Sequence, residues 1–155
     1  MASSDFRLLY EKRFRVETGT ADIDVSAADY AADWVALLTI EPAGGEPIDD
    51  VEIIFDLAKA TTGFAAQHTS QTIQFALQRK VDGTNWRTIQ QSVTTAISGT
   101  NAAAMAAQLR AENVGTAEDL RVVVKLSAEN SVDVELPYCV YYRGAAATFT
   151  PVAAA

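Results

Sequence analysis

The stretch Val132-Asp133-Val134-Glu135-Leu136-Pro137-Tyr138-Cys139-Val140-Tyr141-Tyr142 decides the fold, because apolar side chains occupy every even-numbered position along it. A period of two with one apolar face indicates a half-buried β-strand. Pro137 inside the run predicts a bulge or an edge position, since proline donates no hydrogen bond to a strand ladder. The stretch therefore predicts a protein built from sheets.

The same alternation recurs along most of the chain. Strand-like patterns cover residues 6–16, 34–40, 51–57, 73–78, 86–93 and 120–126. With the run quoted above they predict a mostly β protein, a two-sheet antiparallel sandwich. A jelly roll is the favoured topology, and an immunoglobulin-like sandwich is the alternative.

One segment departs from the strand pattern. Between residues 101 and 113, Ala102, Met105, Ala106 and Leu109 follow helical spacing beside strong helix formers. This spacing predicts one short helix near residues 101–113.

Chain length and the terminal pattern suggest the domain organisation. A chain of 155 residues fits one domain, which we assign to residues 1–144, including an N-terminal arm or strand. Residues 145–155 are small and weakly patterned, and we assign them to a C-terminal tail. Residues 1–8 and 145–155 are expected to become ordered upon assembly with a partner.

Composition narrows the classes of partner. The formal net charge of −8 repels phosphate backbones, so nucleic acid is not an expected partner. No apolar run approaches the roughly 20 residues that span a bilayer, so no membrane is expected either. The single cysteine, Cys139, allows neither an intramolecular disulfide nor a cysteine metal cluster.

The sequence contains no motif that identifies a catalytic, metal-binding or cofactor-binding residue. His68 is the single histidine, and no nucleophile motif or second histidine accompanies it. Cys139 lies in a strongly patterned strand with no activating neighbour, so it is expected to be a small packed or sheet-facing residue. The carboxylates show no calcium-loop spacing, and no glycine-rich phosphate loop occurs. The sequence therefore predicts a protein that is not an enzyme and holds no cofactor.

The segment from Thr72 to Gln91 resembles a hairpin of small β-sandwich virion proteins. It contains Asp82-Gly83, residues that tolerate the positive φ of a tight turn, followed three residues later by Trp86. Asp-Gly-X-X-Trp hairpins also occur in discoidin-like carbohydrate-binding domains. Together with its length, its acidic and alanine-rich composition and its loose C-terminus, the chain resembles tailed-bacteriophage head decoration, or cement, proteins.

The resemblance implies a structural virion protein that binds the outer surface of a phage capsid and stabilises contacts between major capsid subunits. Its expected partners are the major capsid protein and further copies of itself, as a homotrimer. It is expected on the capsid exterior after synthesis in the host cytoplasm. The expected protein-contact residues are Phe6, Leu8, Phe149, Pro151 and Val152.

Two alternative functions remain open at this stage. The chain is also compatible with a carbohydrate-binding or receptor-binding β-sandwich module that stacks Trp86 on sugar rings. A tail or neck component of the same virion has the same strand pattern and composition.

Overall fold

The computed structural model describes residues 15–23, 30–57, 71–96, 106–112, 114–128 and 134–152. Those ranges contain ten strands: β1 (Arg15–Ile23), β2 (Val35–Pro42), β3 (Ile48–Asp56), β4 (Thr72–Lys80), β5 (Trp86–Gln91), β6 (Thr95–Ala96), β7 (Ala106–Ala111), β8 (Leu120–Leu126), β9 (Val134–Gly144) and β10 (Ala147–Pro151). The predicted mostly β class is confirmed.

The strands form two antiparallel sheets. The four-stranded sheet has the order β1-β9-β3-β7, and the six-stranded sheet has the order β10-β2-β8-β4-β5, with β6 also paired to β4. Four antiparallel pairs, β1 with β9, β2 with β8, β3 with β7 and β4 with β5, join the first half of the chain to the second in reverse order. A long hairpin rolled up in this way is a jelly roll. The favoured topology is therefore the one observed, and the immunoglobulin-like alternative is not.

The core lies between the two sheets. Phe55 of β3 stacks on Phe75 of β4, with ring centroids 4.3 Å apart and ring planes 7° from parallel. Tyr138 of β9 meets Phe55 edge-on, with centroids 6.3 Å apart. Because β3 and β4 belong to different sheets, the stacked pair joins them, and burying one phenylalanine contributes about 1.5–3 kcal/mol.

The predicted helix near residues 101–113 is wrong where the structure describes it. Residues 106–111 form β7, which pairs with β3 along the sheet edge. Ala107, Leu109 and Ala111 are buried, whereas Gln108 and Arg110 are exposed. Helix propensity is a weak preference, and the chance to bury Leu109 against β3 outweighs it.

The first strand was predicted over residues 6–16, most of which lie outside the described residues. The structure places β1 at Arg15–Ile23, so its length beyond Val16 is a correction. The segment looks polar because the side chains on its outer face are mostly polar. On its inner face, Ala21 and Ile23 are completely buried. Only two apolar residues mark the inner face, which is too few to reveal the alternation.

Part of the segment that the sequence assigns to a C-terminal tail, residues 145–155, is a strand in the structure. Residues 147–151 form β10, which pairs with β2 from Ala147 opposite Pro42 to Pro151 opposite Leu38. Phe149 packs edge-on against Tyr142, with ring centroids 5.2 Å apart. Partial burial of this one large ring stabilises β10, although the small residues around Phe149 do not predict a strand.

Candidate protein-contact surface

The outer face of the four-stranded sheet carries an apolar patch. Its side chains alternate with the buried ones of β1, β3 and β9, so they point away from the core. Val16 is 58% exposed and Tyr141 is 41% exposed. We call this set the outer patch, and its members are Val16, Ile54, Pro137, Cys139 and Tyr141.

Strand register makes the outer patch continuous. Val16 pairs with Tyr141, and Cys139 pairs with Ile54 on the other side of β9. Directly opposed residues of neighbouring antiparallel strands have Cβ atoms roughly 4.5–5.5 Å apart. The patch therefore crosses three adjacent strands on a rigid backbone.

Charged and polar side chains border the patch on the β3 and β7 side. Arg143 forms an ion pair with Asp50, and the side-chain amide of Gln108 donates a hydrogen bond to Glu52. An apolar centre with a polar rim is the usual composition of a protein–protein interface.

Tyr141 also offers a polar group within the patch. The pKa of its phenol is raised, chiefly by a hydrogen bond with Cys139 and further by the charge of Glu52. The phenol therefore keeps its proton at neutral pH. Cys139 is a free thiol and half-buried, so it belongs to the outward face as a small sheet residue.

The structure places three of the five expected contact residues. Phe149 and Pro151 lie in β10, and Val152 follows it directly. Phe149 faces inward onto Tyr142 and is half-buried, so much of its ring is used inside the molecule. Phe6 and Leu8 lie outside the described residues.

The edge formed by β10 is the second feature that suits a partner. β10 pairs with β2 on one side, and no strand among the described residues pairs with its other side. The amide of Val152 donates to the carbonyl of Leu37 over 3.0 Å, which continues the ladder to the end of the strand. An edge strand of this kind can accept a further strand from a neighbour.

Sequence reasoning missed the outer patch, although a signal for it was present. Glu135 occupies an outward position of the deciding stretch, as expected of a solvated face, but Pro137, Cys139 and Tyr141 continue the same alternation without charge. The change from charged to uncharged outward residues marks where this face becomes apolar.

Trp86, the residue of the sugar-binding alternative, lies on the outer face of the six-stranded sheet. The guanidinium carbon of Arg121 is 4.4 Å from the centre of its ring, and Lys80 Nζ is 5.3 Å from that centre. Arg121 is held there because its Nε donates to Gln78 Oε1 over 2.8 Å. Cations therefore already contact the indole surface that a sugar would use.

Ionisable groups do not gather into a metal-binding cluster in the described ranges. No three His, Cys, Asp or Glu side chains there lie close enough together to hold a metal ion. His68 lies outside the described residues. No helix in the described part of the chain is long and apolar enough to cross a membrane.

Comparisons with known proteins yield similar architectures at low identity. No protein-family model matches the chain, and no curated protein matches it in sequence. Among solved structures, the Yersinia pseudotuberculosis-derived mitogen is 13% identical, with a TM-score of 0.44, covering 83% of this chain and 85% of that one.

Two further structures come from different classes of protein. The xylan-binding module CBM15 is 14% identical with a TM-score of 0.39, covering 83% of this chain and 96% of that one. A chain of the cyanophage Pam1 capsid asymmetric unit is 17% identical with a TM-score of 0.35, covering 84% of this chain and 86% of that one. The neighbours thus include a viral capsid chain and a xylan-binding module. Similarity this weak assigns neither role to this chain.

Proposed function

We propose that this chain is a structural virion protein that binds the outer surface of a phage capsid and stabilises contacts between neighbouring major capsid subunits. The observation that carries the proposal is the outer patch, an apolar surface whose exposed members are Val16 and Tyr141, with charged residues along one border. Contiguous exposed apolar surface of this kind marks interaction sites in soluble proteins. The proposal includes no catalytic activity.

The size of the sheet face determines what else must take part. Four strands about 4.8 Å apart and nine residues at about 3.3 Å each give a face of roughly 15 Å by 30 Å. A stable interface buries about 800 Å² on each partner. The face alone is too small, so the proposal adds the β10 edge and residues 1–8, whose sequence contains Phe6 and Leu8.

Self-association belongs to the same proposal. A homotrimer presents three outer patches to one underlying lattice, and simultaneous binding raises affinity without any new contact. Sedimentation equilibrium is expected to give about three times the chain mass of 16.6 kDa. A monomer at all concentrations would contradict the trimer.

The test measures retention on capsids. We expect the protein to bind capsids prepared without it, at about one copy per major capsid subunit. Val16→Ser combined with Tyr141→Ser removes the two exposed members of the patch and is expected to weaken retention at least tenfold, because each side chain buries its apolar area on binding. Val93→Ser is the matched control, since Val93 is 84% exposed but lies after β5, away from the patch.

Two results would count against the proposal. Equal retention of the patch variant and the Val93 control would remove the outer patch from the interface. A few copies per particle instead of one per subunit would move the protein to the tail or neck.

The carbohydrate-binding alternative predicts a different experiment. Sugar stacking on Trp86 requires that Arg121 leave a ring it contacts at 4.4 Å, so the structure does not favour this alternative. Binding on a glycan array that Trp86→Ala abolishes would reverse that preference.

A further inference from the structure

A shallow cleft opens on the side of the sandwich where β5 and β7 form the sheet edges. Its volume is about 490 Å³, within the range of ligand sites. The residues that line it are Arg79, Ile89, Gln90, Arg110, Ala111, Glu112 and Val114. The cleft thus combines two guanidinium groups and one carboxylate with three aliphatic side chains.

Arg79 is the side chain in the cleft whose hydrogen-bond donors are not all paired with acceptors of the described residues. It follows the buried Leu77 on the inward face of β4, opposite Leu120, so its side chain enters the end of the space between the sheets. Its Nε is buried and has no hydrogen-bond partner among the residues that the structure describes. Within the described residues its Nη1 donates to the carbonyl of Val114 at 3.5 Å, a long bond for one of five donors.

A buried donor without an acceptor is unfavourable, and a native structure that contains one calls for an explanation. A guanidinium presents its donors as a planar fork that fits the two oxygens of a carboxylate. An oxyanion in the cleft would supply acceptors to the Nη donors of Arg79, of which the carbonyl of Val114 takes up one over a long distance.

Arg110 already contacts a carboxylate at the rim of the cleft. Its Nη2 lies 2.8 Å from Glu112 Oε1, and both side chains are more than half exposed. An exposed ion pair contributes little to stability, so a ligand carboxylate can displace Glu112 at small cost. Arg87, opposite Arg79 in the β4–β5 register, lines an adjoining cavity of about 390 Å³ and adds further positive charge.

The flanking strands indicate how the carboxylate is presented. In the described residues β5 pairs only with β4, and β7 only with β3, so each has a free backbone edge beside the cleft. Ile89, Ala111 and Val114 offer apolar contact to a ligand backbone or stem. An extended segment can add its main-chain hydrogen bonds to such an edge.

We propose that the cleft binds an acidic extended peptide, with the carboxylate of a glutamate or aspartate held between Arg79 and Arg110. The site adjoins the border of the outer patch, because Arg110 pairs with Glu52 and Glu52 pairs with Tyr141, but the proposal does not depend on the capsid role. A partner protein is recognised here mainly by charge and strand pairing, with apolar contact to Ile89, Ala111 and Val114.

The experiment titrates the full chain with two capped peptides, Ac-Thr-Val-Glu-Val-Thr-NH2 and its glutamine counterpart, while NMR follows backbone amides and arginine side chains. The glutamate peptide is expected to shift signals of Arg79, Arg110 and the β5 and β7 amides. The glutamine peptide is expected to bind at least about tenfold more weakly, because it loses charge-assisted hydrogen bonds. Glutarate tests whether a free carboxylate suffices.

Substitutions around the cleft are expected to change the affinity for the glutamate peptide in opposite directions. Arg79→Gln and Arg110→Gln are each expected to weaken the glutamate peptide about tenfold or more, whereas Glu112→Gln is expected to strengthen it by removing the internal competitor. Lys125→Gln, with the same loss of charge on β8, is the control and is expected to have no effect beyond a small salt-sensitive change. Arg110 is 64% exposed, so its substitution spares the fold even if that of Arg79 does not.

Several results would overturn the proposal. Equal binding of the two peptides, or no effect of Arg110→Gln, excludes the carboxylate contact. Glutarate binding as well as the peptide, without shifts in the β5 and β7 amides, excludes the extended peptide. Absence of binding by all three probes at millimolar concentration excludes the site.

Discussion

Tyr138 shows how single residues fix the end of the core. Its ring meets Phe55 edge-on, and its hydroxyl reaches over β1, where a Cβ atom on Gly19 would lie 2.4 Å from it. Gly19 therefore leaves the space that the phenol occupies. Burial raises the pKa of Tyr138, and the negative charge of Glu17 raises it further.

This raised pKa predicts a loss of stability at alkaline pH. The folded protein holds the phenol proton of Tyr138 more tightly than the unfolded chain does, because in the unfolded chain the phenol has its ordinary pKa of 10.0. The contribution of Tyr138 to the unfolding free energy is therefore fully present below the pKa of the unfolded state. It is lost as the pH rises through the pKa of the folded state. We expect Tyr138→Phe to flatten the fall in unfolding free energy above about pH 10, measured by urea denaturation at a series of pH values.

Tyr141 must be included in that measurement, because its pKa is raised too. The Tyr138→Phe and Tyr141→Phe double variant is expected to be flatter than either single variant. If Tyr138→Phe loses stability with pH as steeply as the parent, the burial of its phenol does not control the alkaline limit.

Edge strands illustrate how elements depend on their neighbours. Pro137 predicted a bulge or an edge position, yet β9 lies between β1 and β3, and its register with β1 does not shift at Pro137. The pairing of β3 with β9 ends at Phe55 opposite Tyr138, the neighbour of Pro137, whereas the pairing of β1 with β9 continues past Pro137 to Val134. Pro137 thus lies where one neighbour has already stopped, and its missing donor removes no bond on that side.

The element that invites a direct test is β10. A chain ending after Ala146 loses five residue pairs with β2 and the contact of Phe149 with Tyr142. We expect a loss of about 1–3 kcal/mol in unfolding free energy, mostly from the half-buried Phe149. Urea denaturation measures it, and light scattering is expected to reveal association through the newly exposed edge of β2.

A chain ending after Val152 is the control, because it keeps β10 whole. Phe149→Ser in the full chain separates loss of the ring from loss of the strand. Unchanged stability of the chain ending after Ala146 would show that β10 contributes nothing to the fold.

The whole molecule is held together by contacts between distant parts of the chain. The hairpin turn at Asp82-Gly83, where Gly83 has φ of 79°, is the tip of the rolled ribbon whose arms meet as β1 with β9 and β2 with β8. Rolling the ribbon brings Phe55 and Phe75 face to face from opposite sheets. The two sheets therefore share one core.

This shared core predicts energetic coupling between the sheets. Phe55→Leu and Phe75→Leu are each expected to be destabilising, with a coupling of about 0.5–1.5 kcal/mol in a double-mutant cycle, because stacked rings interact beyond their buried area. Chemical denaturation of the four proteins measures it. Phe55→Leu with Phe149→Leu is the control cycle and is expected to be additive, since Phe149 contacts Tyr142 instead.

Coupling no larger than that of the control cycle would show that the stacked rings act only through their separate burial. A single cooperative transition is expected for every variant, because both sheets bury their inner faces in one core.

The amino-acid sequence alone determined which regular segments become strands. β8 lies where residues 120–126 predict it, and β9 begins two residues into the deciding stretch, because a long run of alternating apolar residues admits one periodic structure. The outward residues Cys139 and Tyr141 were equally visible, but a pattern along one strand does not reveal that Val16 and Ile54 lie beside them.

The tertiary structure alone decided the segments whose own preferences are weak. Residues 106–111 are a strand because β3 offers Leu109 a place to be buried, and residues 147–151 are a strand because Tyr142 and β2 lie beside Phe149. The strand order and the cleft around Arg79 depend on which strands meet across the chain. Local periodicity records how a segment faces a core, whereas its partners are fixed by contacts far apart in sequence.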